Sequence, residues 1–486
     1  MLKVFRYTTL FLSISIFLIS LINTNKDLLL ISISSLFVHN MLFAFERFNE
    51  RIIFFAFNAT FFTFLAGRPI LKTFIGYQDY YNDNTYGLDF YDENIIWNIF
   101  LILFMSLLFI FLGYILVDRN KVNINPSLNN SSHMFKDINV AYIAYVSKLF
   151  FFITYIFNAL VLIDKARFSN SVGYTELYAM YTSSFPGWFI KLSEMCPAAF
   201  FIYLGTLPTK KKSAIPILLY LSLGVLSLIV GQRNTFVLNI LIVLVYLCLR
   251  NLTDNNAKWF GKKEIIACIS AFPILILILN AVSYYRADNS VKEFSIIKGV
   301  TEFFYSQGAS INLIGYSQTL ASQMPDGRVY SLGRIIDFIN NNAVTQILFD
   351  IPVYKPQTLE SALYANSFAD TVSYILSPNR YLAGWGYGSS YVAELYKDFG
   401  YYGIIIGSLL LGIVLALMPK LFVKGVLGAW AALSMTRLLL YSPRDTLASF
   451  LVTSFSLINI LTVILILLGA AILKDKMQKT IHLRGR

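Results

Sequence analysis

Arginine is the residue whose placement in this sequence points most directly to chemistry. Arg68, Arg233, Arg286, Arg437 and Arg444 stand at or near the ends of long apolar runs, and Arg380 precedes another. One such arginine at a membrane boundary does no more than snorkel, its stem among apolar groups and its head in water. As a set, these permanently charged planar forks suit an anion, because a guanidinium matches phosphate oxygens bidentately. Pyrophosphate on a lipid is the natural candidate for an anion held at a membrane surface.

A second constellation lies at 384–403, reading GWGYGSSYVAELYKDFGYYG. Its glycines permit turns, and Glu394 and Asp398 fall one helical turn apart. Either the segment is only a flexible return of the chain to the next apolar run, or it carries a carboxylate that works on substrate. Its G-x-G is no dinucleotide fingerprint, since no strand precedes it. Trp385 and Tyr387 can stack on sugar rings, although aromatics make up 16% of the chain and commonly anchor membrane interfaces. The three histidines are His39, inside an apolar run, and His133 and His482, in basic segments. A general base among the arginines must therefore be a carboxylate, or the reaction proceeds without one. Neither a G-x-x-x-x-G-K-[ST] loop nor a D-x-D metal pair occurs, so no metal and no cofactor is expected. Cys196, Cys248 and Cys268 sit in apolar stretches and read as packing residues.

The elements that must position these residues are membrane helices. Hydrophobic residues make up 57% of the 486 and charged residues 14%, against about 45–50% and about 25% in soluble domains. Apolar runs long enough to span a bilayer fall near 8–24, 28–45, 52–70, 95–117, 147–163, 186–207, 213–230, 235–249, 265–284, 401–418, 426–440 and 447–473. The fold expected is all-α and polytopic, with about twelve transmembrane helices. Lys3 and Arg6 place the amino terminus in the cytoplasm by the positive-inside rule. The alternation that follows puts each basic segment inside: Arg47 and Arg51; Arg119, Lys121 and Lys136; Lys210 to Lys212; Arg250 to Lys263; Lys420 and Lys424; and the tail from Lys474. The net charge of +12 is then a topology signal rather than a nucleic-acid surface. Both termini are expected in the cytoplasm, and no small-residue cleavage site follows the first helix.

By this count, residues 1–284 hold nine helices, 285–400 form one large extracytoplasmic loop, and 401–486 hold three more helices and a basic tail. Within the loop, 294–319, 332–348 and 359–376 show apolar residues at helical spacing, and amphipathic helices at the membrane surface are expected. They either cap the bundle or grip substrate. The short inner loops leave no room for a nucleotide-binding domain.

The Gly231-Gln232-Arg233 turn, the GSSYVAELYKDFGYYG run after a large outer loop and the dozen helices resemble the bacterial Wzy-type repeat-unit polymerases of O-antigen and capsule assembly. The resemblance implies a class C-like membrane glycosyltransferase in the bacterial cytoplasmic membrane that uses no sugar nucleotide. It implies transfer of a growing glycan from undecaprenyl pyrophosphate onto an incoming lipid-linked repeat unit at the outer face. The implied partners are that oligosaccharide, the bilayer, a chain-length regulator and a flippase, with no nucleic acid. Arg233 matches the turn, and with Glu394 as proton acceptor it forms the expected catalytic pair. Arg68, Arg286, Arg380, Arg437, Arg444, Asp398, Trp385 and Tyr387 are expected to bind pyrophosphate or glycan. A lipid-linked oligosaccharide flippase would also need arginines, but at mid-helix positions around a cavity. An O-antigen-ligase-like transferase is expected to use an outer histidine, which this chain lacks. The sidedness predicts that cysteine replacing Ser331 reacts with a membrane-impermeant thiol reagent on intact cells and that cysteine replacing Ser213 does not; the reverse pattern would overturn the topology.

Overall fold

The computed structural model describes residues 2–77, 85–118, 140–173, 177, 180–254, 258–266, 270, 275–278, 296–340, 343–350 and 352–484. Among these residues the chain is helical, without strands. That is the expected answer to a solvent that cannot bond exposed backbone amides. Nine stretches among the described residues are long and apolar enough to cross a membrane: Lys3–Asn23, Lys26–Glu46, Phe48–Ile75, Glu93–Asp118, Val140–Val172, Lys210–Val230, Arg233–Thr253, Tyr391–Phe422 and Ser449–Thr480.

Three expected runs differ. The run at 186–207 divides into Gly187–Glu194 and Cys196–Gly205, with Pro197 in the first turn of the second helix, where its missing amide costs no hydrogen bond. The run at 426–440 is the shorter helix Val426–Leu439. The run at 265–284 lies largely outside the described residues, as do Arg119, Lys121, His133, Lys136 and Arg286.

The chain forms two compact units. The first comprises Met1–Lys121, Lys263–Ala416 and Leu439–Val452. Its helices approach closely through small and polar residues, the usual device where lipid offers no hydrophobic drive for association. Ser13 and Ser32 exchange hydroxyl-to-carbonyl hydrogen bonds between the first two helices at 2.9 and 3.0 Å. Glu93–Asp118 meets Tyr391–Phe422 through Gly113 and Gly412, where a methyl group at either position would land on the other helix's backbone carbonyl. Beside that contact, Ser106 bonds the Tyr391 hydroxyl at 2.7 Å and Ser408 at 2.9 Å.

One pole of this unit is held by a buried ion network. Glu46 accepts from Arg6 at 2.7 Å and from Arg51 at 3.4 Å. Asp118 accepts from Arg51 at 2.8 Å and from Arg47, which also bonds Glu50 at 2.9 Å. The Arg51 guanidinium lies 3.6 Å from the centroid of the Phe43 ring. Four helix ends are thereby tied by charges that need one another.

The second unit comprises Val122–Lys262, Leu417–Leu438 and Thr453–Arg486. Val140–Val172 packs there against Lys210–Val230, Cys196–Gly205 and Leu457–Arg484. Tyr155 and Ser222 share a 2.9 Å hydroxyl bond. Arg250 lies over Trp259 at 4.4 Å and pairs with Asp254 at 3.5 Å, while Asp254 accepts from the Trp259 indole at 2.8 Å.

The loop stretches expected to be amphipathic are helical. They read Ile296–Gln307, a 3-10 turn Gly308–Ile311 and Asn312–Thr319; then Gly333–Asn340 and Ala343–Phe349; then Leu359–Tyr364 and Phe368–Leu376. Ser331 and Ser213 are each 1% exposed, so exposed Asp326 and Lys211 are the better reporters of sidedness. With the native cysteines replaced by alanine, labelling is expected at Asp326→Cys and not at Lys211→Cys. The ion network makes a separate stability prediction. Glu46→Gln leaves Arg6 and Arg51 without their shared carboxylate and should cost roughly 3–5 kcal/mol, read as a lowered unfolding midpoint in detergent. An unchanged midpoint would show that the network does not hold these helices.

Candidate active site

The segment 384–403 is built around a helix that starts earlier than hydropathy indicates. Tyr391–Phe422 runs as one helix except at Gly400, whose φ of 57° and ψ of −142° belong to a region almost confined to glycine. That break lets Tyr391–Phe399 take its own direction, separate from the apolar stretch behind it. Gly384 and Gly388, at φ 95° and 81°, turn the chain into it.

On this short stretch Glu394 is wholly buried. Its Oε1 accepts the Ser389 hydroxyl at 2.6 Å and its Oε2 accepts the Leu447 amide at 2.9 Å. The carboxylate thus fastens the start of the helix to the turn that follows Val426–Leu439. Asp398, one helical turn on, accepts the Tyr330 amide at 3.1 Å, the Ser331 amide at 2.7 Å and the Ser331 hydroxyl at 2.6 Å. It fixes the start of Gly333–Asn340, which carries exposed Arg334 on its first turn.

Three residues before Leu447 ends Ser442–Arg444, a 3-10 turn containing Pro443. Arg444 donates from Nη1 to the Gln307 carbonyl at 3.2 Å and to Gln307 Oε1 at 3.1 Å, and its guanidinium lies 5.6 Å from the Phe64 ring centroid. Gln307 is buried at the end of Ile296–Gln307. The 3-10 turn after it packs on Phe62–Ala66, a single π-helical turn inside an otherwise α-helical stretch. Such turns redirect side chains and recur at functional sites. Gly308 permits the approach, since a Cβ there would sit 2.5 Å from Arg68 Cβ. Arg68 follows the π turn, donating from Nε to the Gly87 carbonyl at 2.5 Å with its guanidinium 4.4 Å from the Tyr305 ring centroid.

Beside Arg444, Asp445 is half-buried, with Oδ1 accepting the Thr446 amide at 2.8 Å. Burial pushes its carboxyl above the usual range, opposed by the Thr446 amide, by Ser449 and by the charge of Arg334. The Thr446 hydroxyl is buried without a hydrogen-bond partner.

Aromatic residues form a further group in the same unit. Exposed Arg380 lies 5.5 Å from the Trp385 ring centroid, Trp385 meets Tyr387 edge-on at 4.5 Å, and Tyr387 meets Tyr316 at 5.8 Å. The Tyr316 hydroxyl donates to Asp89 at 2.7 Å. Burial, and then Asp89, hold that hydroxyl well above the usual tyrosine range. Trp385 and Tyr387 are half-buried, with ring surface left uncovered.

The structure therefore gathers Arg68, Arg380, Arg444, Glu394, Asp398, Trp385 and Tyr387 in one unit, while Arg233 and Arg437 belong to the other. Arg233 begins its helix after Gly231, at φ 97°. Arg437 donates from Nε to Asn239 Oδ1 at 3.3 Å. Arg286 lies outside the described residues. Three residues of the site escape a reading of the sequence: Gln307, Arg334 and Asp445. Of these only the adjacency of Asp445 to Arg444 is a local signal.

The arginines divide by their partners. Arg6, Arg47, Arg51 and Arg250 are each paired with a carboxylate. Arg334, Arg380 and Arg444 form no ion pair with a described residue, although all three have water-accessible surroundings. What this unit offers is cationic forks outside any ion pair among the described residues, beside half-buried aromatic rings. Comparison with curated proteins gives no match, and neither does comparison with solved structures. The model of one family, O-antigen polysaccharide polymerase Wzy, matches residues 5–476. With that match over nearly the whole chain, this multi-helix protein belongs to the O-antigen polysaccharide polymerase Wzy family.

Proposed function

We propose that this chain joins undecaprenyl-pyrophosphate-linked oligosaccharide repeat units at the outer face of the bacterial cytoplasmic membrane. In this reading it is a class C-like glycosyltransferase of about twelve spans with both termini inside, and the loop at 285–400 faces outward. The observation that carries the reading is that Arg334, Arg380 and Arg444 form no ion pair among the described residues, on a unit whose other pole pairs its arginines with acids. Their exposure beside Trp385 and Tyr387 suits a ligand that is anionic at one end and a sugar at the other.

The donor sugar carries a diphosphate at its anomeric carbon, so the bond to be broken already has a good leaving group. Catalysis then requires an aligned acceptor hydroxyl and a place for the negative charge growing on the departing diphosphate. Arg444 supplies that place with its orientation set in advance by two bonds to Gln307. Arg334, Arg380 and Arg68 extend the positive field, and the aromatic rings take sugar faces. Glu394, with both oxygens bonded inside the protein, holds the Arg444 turn in position. Arg233 and Arg437 add positive charge in their own unit.

Purified protein should lengthen lipid-linked repeat units in the absence of ATP and sugar nucleotides; an absolute need for either would remove the polymerase reading. Arg444→Ala is expected to lower the rate by about 10²–10³. Arg444→Lys should fall well short of wild type, because the ammonium cannot reproduce the planar fork. The product ladder on a gel reads both, and a normal ladder from Arg444→Ala at wild-type protein levels would remove Arg444 from the site.

A further inference from the structure

We propose that Asp445 accepts the proton of the attacking sugar hydroxyl, while the guanidinium of Arg444 next to it stabilises the departing diphosphate. This rests on the polymerase reading. The acids of the unit can be sorted by what their oxygens already do. Glu394 is wholly buried, with one oxygen given to Ser389 and the other to Leu447. Asp398 gives Oδ1 to Tyr330 and Oδ2 to Ser331. Asp337 holds the Asn366 amide and side chain, and Asp370 accepts from the Ser361 hydroxyl at 3.0 Å. Asp89 accepts the Tyr316 hydroxyl. Each of these five fastens one stretch of chain to another, while Asp92, bonded by the nearby Asn94 amide, is exposed.

Among the described residues Asp445 instead bonds only within its own stretch of chain, to the Thr446 amide and the Ser449 hydroxyl, which ties it to no distant element. It is half-buried between Arg444, whose Nη1 is seated by Gln307, and Thr446, whose buried hydroxyl has no partner. Three consecutive side chains therefore offer a fork for an anion, a carboxylate for a proton and a hydroxyl waiting for a ligand or water. The groups that act on Asp445 are the Thr446 amide, the Ser449 hydroxyl behind it and Arg334 from the loop helix, and Glu394 lies close enough to feel its charge. Burial raises its affinity for a proton, which suits a base that must take one from a hydroxyl.

The step balances as a direct displacement. The acceptor hydroxyl oxygen forms a bond to the donor's anomeric carbon. The bond from that carbon to the diphosphate oxygen breaks, and the electron pair leaves with the lipid diphosphate beside Arg444. The hydroxyl proton passes to Asp445 and then to water.

The test uses the full chain in nanodiscs with a lipid-linked repeat unit as both donor and acceptor. Asp445→Asn should lower kcat by about 10²–10⁴ while KM changes little. Wild-type kcat/KM should climb with pH and level off once the base is ionised, and that climb should be absent from the Asn variant. Asp445→Glu keeps the acid and should retain both measurable turnover and the climb, so the proposal stays testable even if Asp445→Asn folds poorly. Near-normal turnover of Asp445→Asn, or a climb that survives in it, would overturn the assignment while leaving the polymerase reading intact. Failure of the wild-type protein itself to extend chains would refute the polymerase reading, and Asp445 as base with it.

Discussion

The candidate site depends on how the buried carboxylate of Glu394 is satisfied. A carboxyl group away from water is costly unless its oxygens find hydrogen-bond partners. Glu394 meets that demand with a hydroxyl from just before its own helix and an amide from the turn after Val426–Leu439. The cost of leaving either bond unmade is what fixes two distant segments in one arrangement. From that point the order spreads outward. The held turn presents Arg444 to Gln307, Gln307 ends the helix whose following 3-10 turn packs on Phe62–Ala66, and the π turn delivers Arg68. Asp398 works in the same way one turn further along the helix, holding Tyr330 and Ser331 so that Arg334 starts from a fixed place.

The two kinds of arginine in the first unit follow from one electrostatic rule. At the pole of Arg6, Arg47 and Arg51 the charges are largely withdrawn from water, with side-chain exposures of 10%, 28% and 6%. Acids accordingly surround them. Arg51 and Arg68 belong to the same helical stretch, separated along it by about 25 Å at the usual rise per residue. Elsewhere in the unit Arg334 and Arg380 are exposed and Arg444 half-buried, and none of the three forms an ion pair among the described residues. Their hydration gives way when a diphosphate arrives, which makes the binding charge-assisted and sensitive to salt.

Hydropathy made the membrane helices legible, because a bilayer imposes length and composition on every span. The loop helices were legible for a similar reason, since one-sided burial imposes a 3.6-residue period on sequences such as 294–319. Features that depend on contacts distant in sequence were not. Nothing in FTFLA announces a π turn, and the start of the return helix at Tyr391 is set by Gly400 and by the bonds of Glu394 rather than by apolar content. The same limit applies to the site. Glu394 and Asp398 stood out by spacing as candidates for chemistry, yet their oxygens are given to residues 53 and 67 positions away. Arg444 finds Gln307 across 137 positions. Asp445 and Arg334 looked ordinary in the sequence because their neighbourhood is made by those long-range bonds.

A polymerase of this kind has two opposed requirements, and the site's construction answers both. The diphosphate must be gripped in one orientation, since stabilisation counts only when the donor groups are aimed before reaction. In the proposed reaction the glycan must also slide, because each addition would move the chain by a repeat unit. Rigid hydrogen bonding serves the first need: Arg444 is held by a backbone carbonyl and a side-chain amide on a buried residue. Half-covered rings serve the second. Trp385, Tyr387 and Tyr316 touch edge-on, offering faces that attract a sugar's C–H groups without fixing its hydroxyls. An aromatic surface releases one sugar and takes the next at little cost, whereas a set of directional hydrogen bonds would have to break with every step. The division of labour between arginine at the anion and aromatic rings along the glycan is therefore what repeated extension of a lipid-linked chain demands.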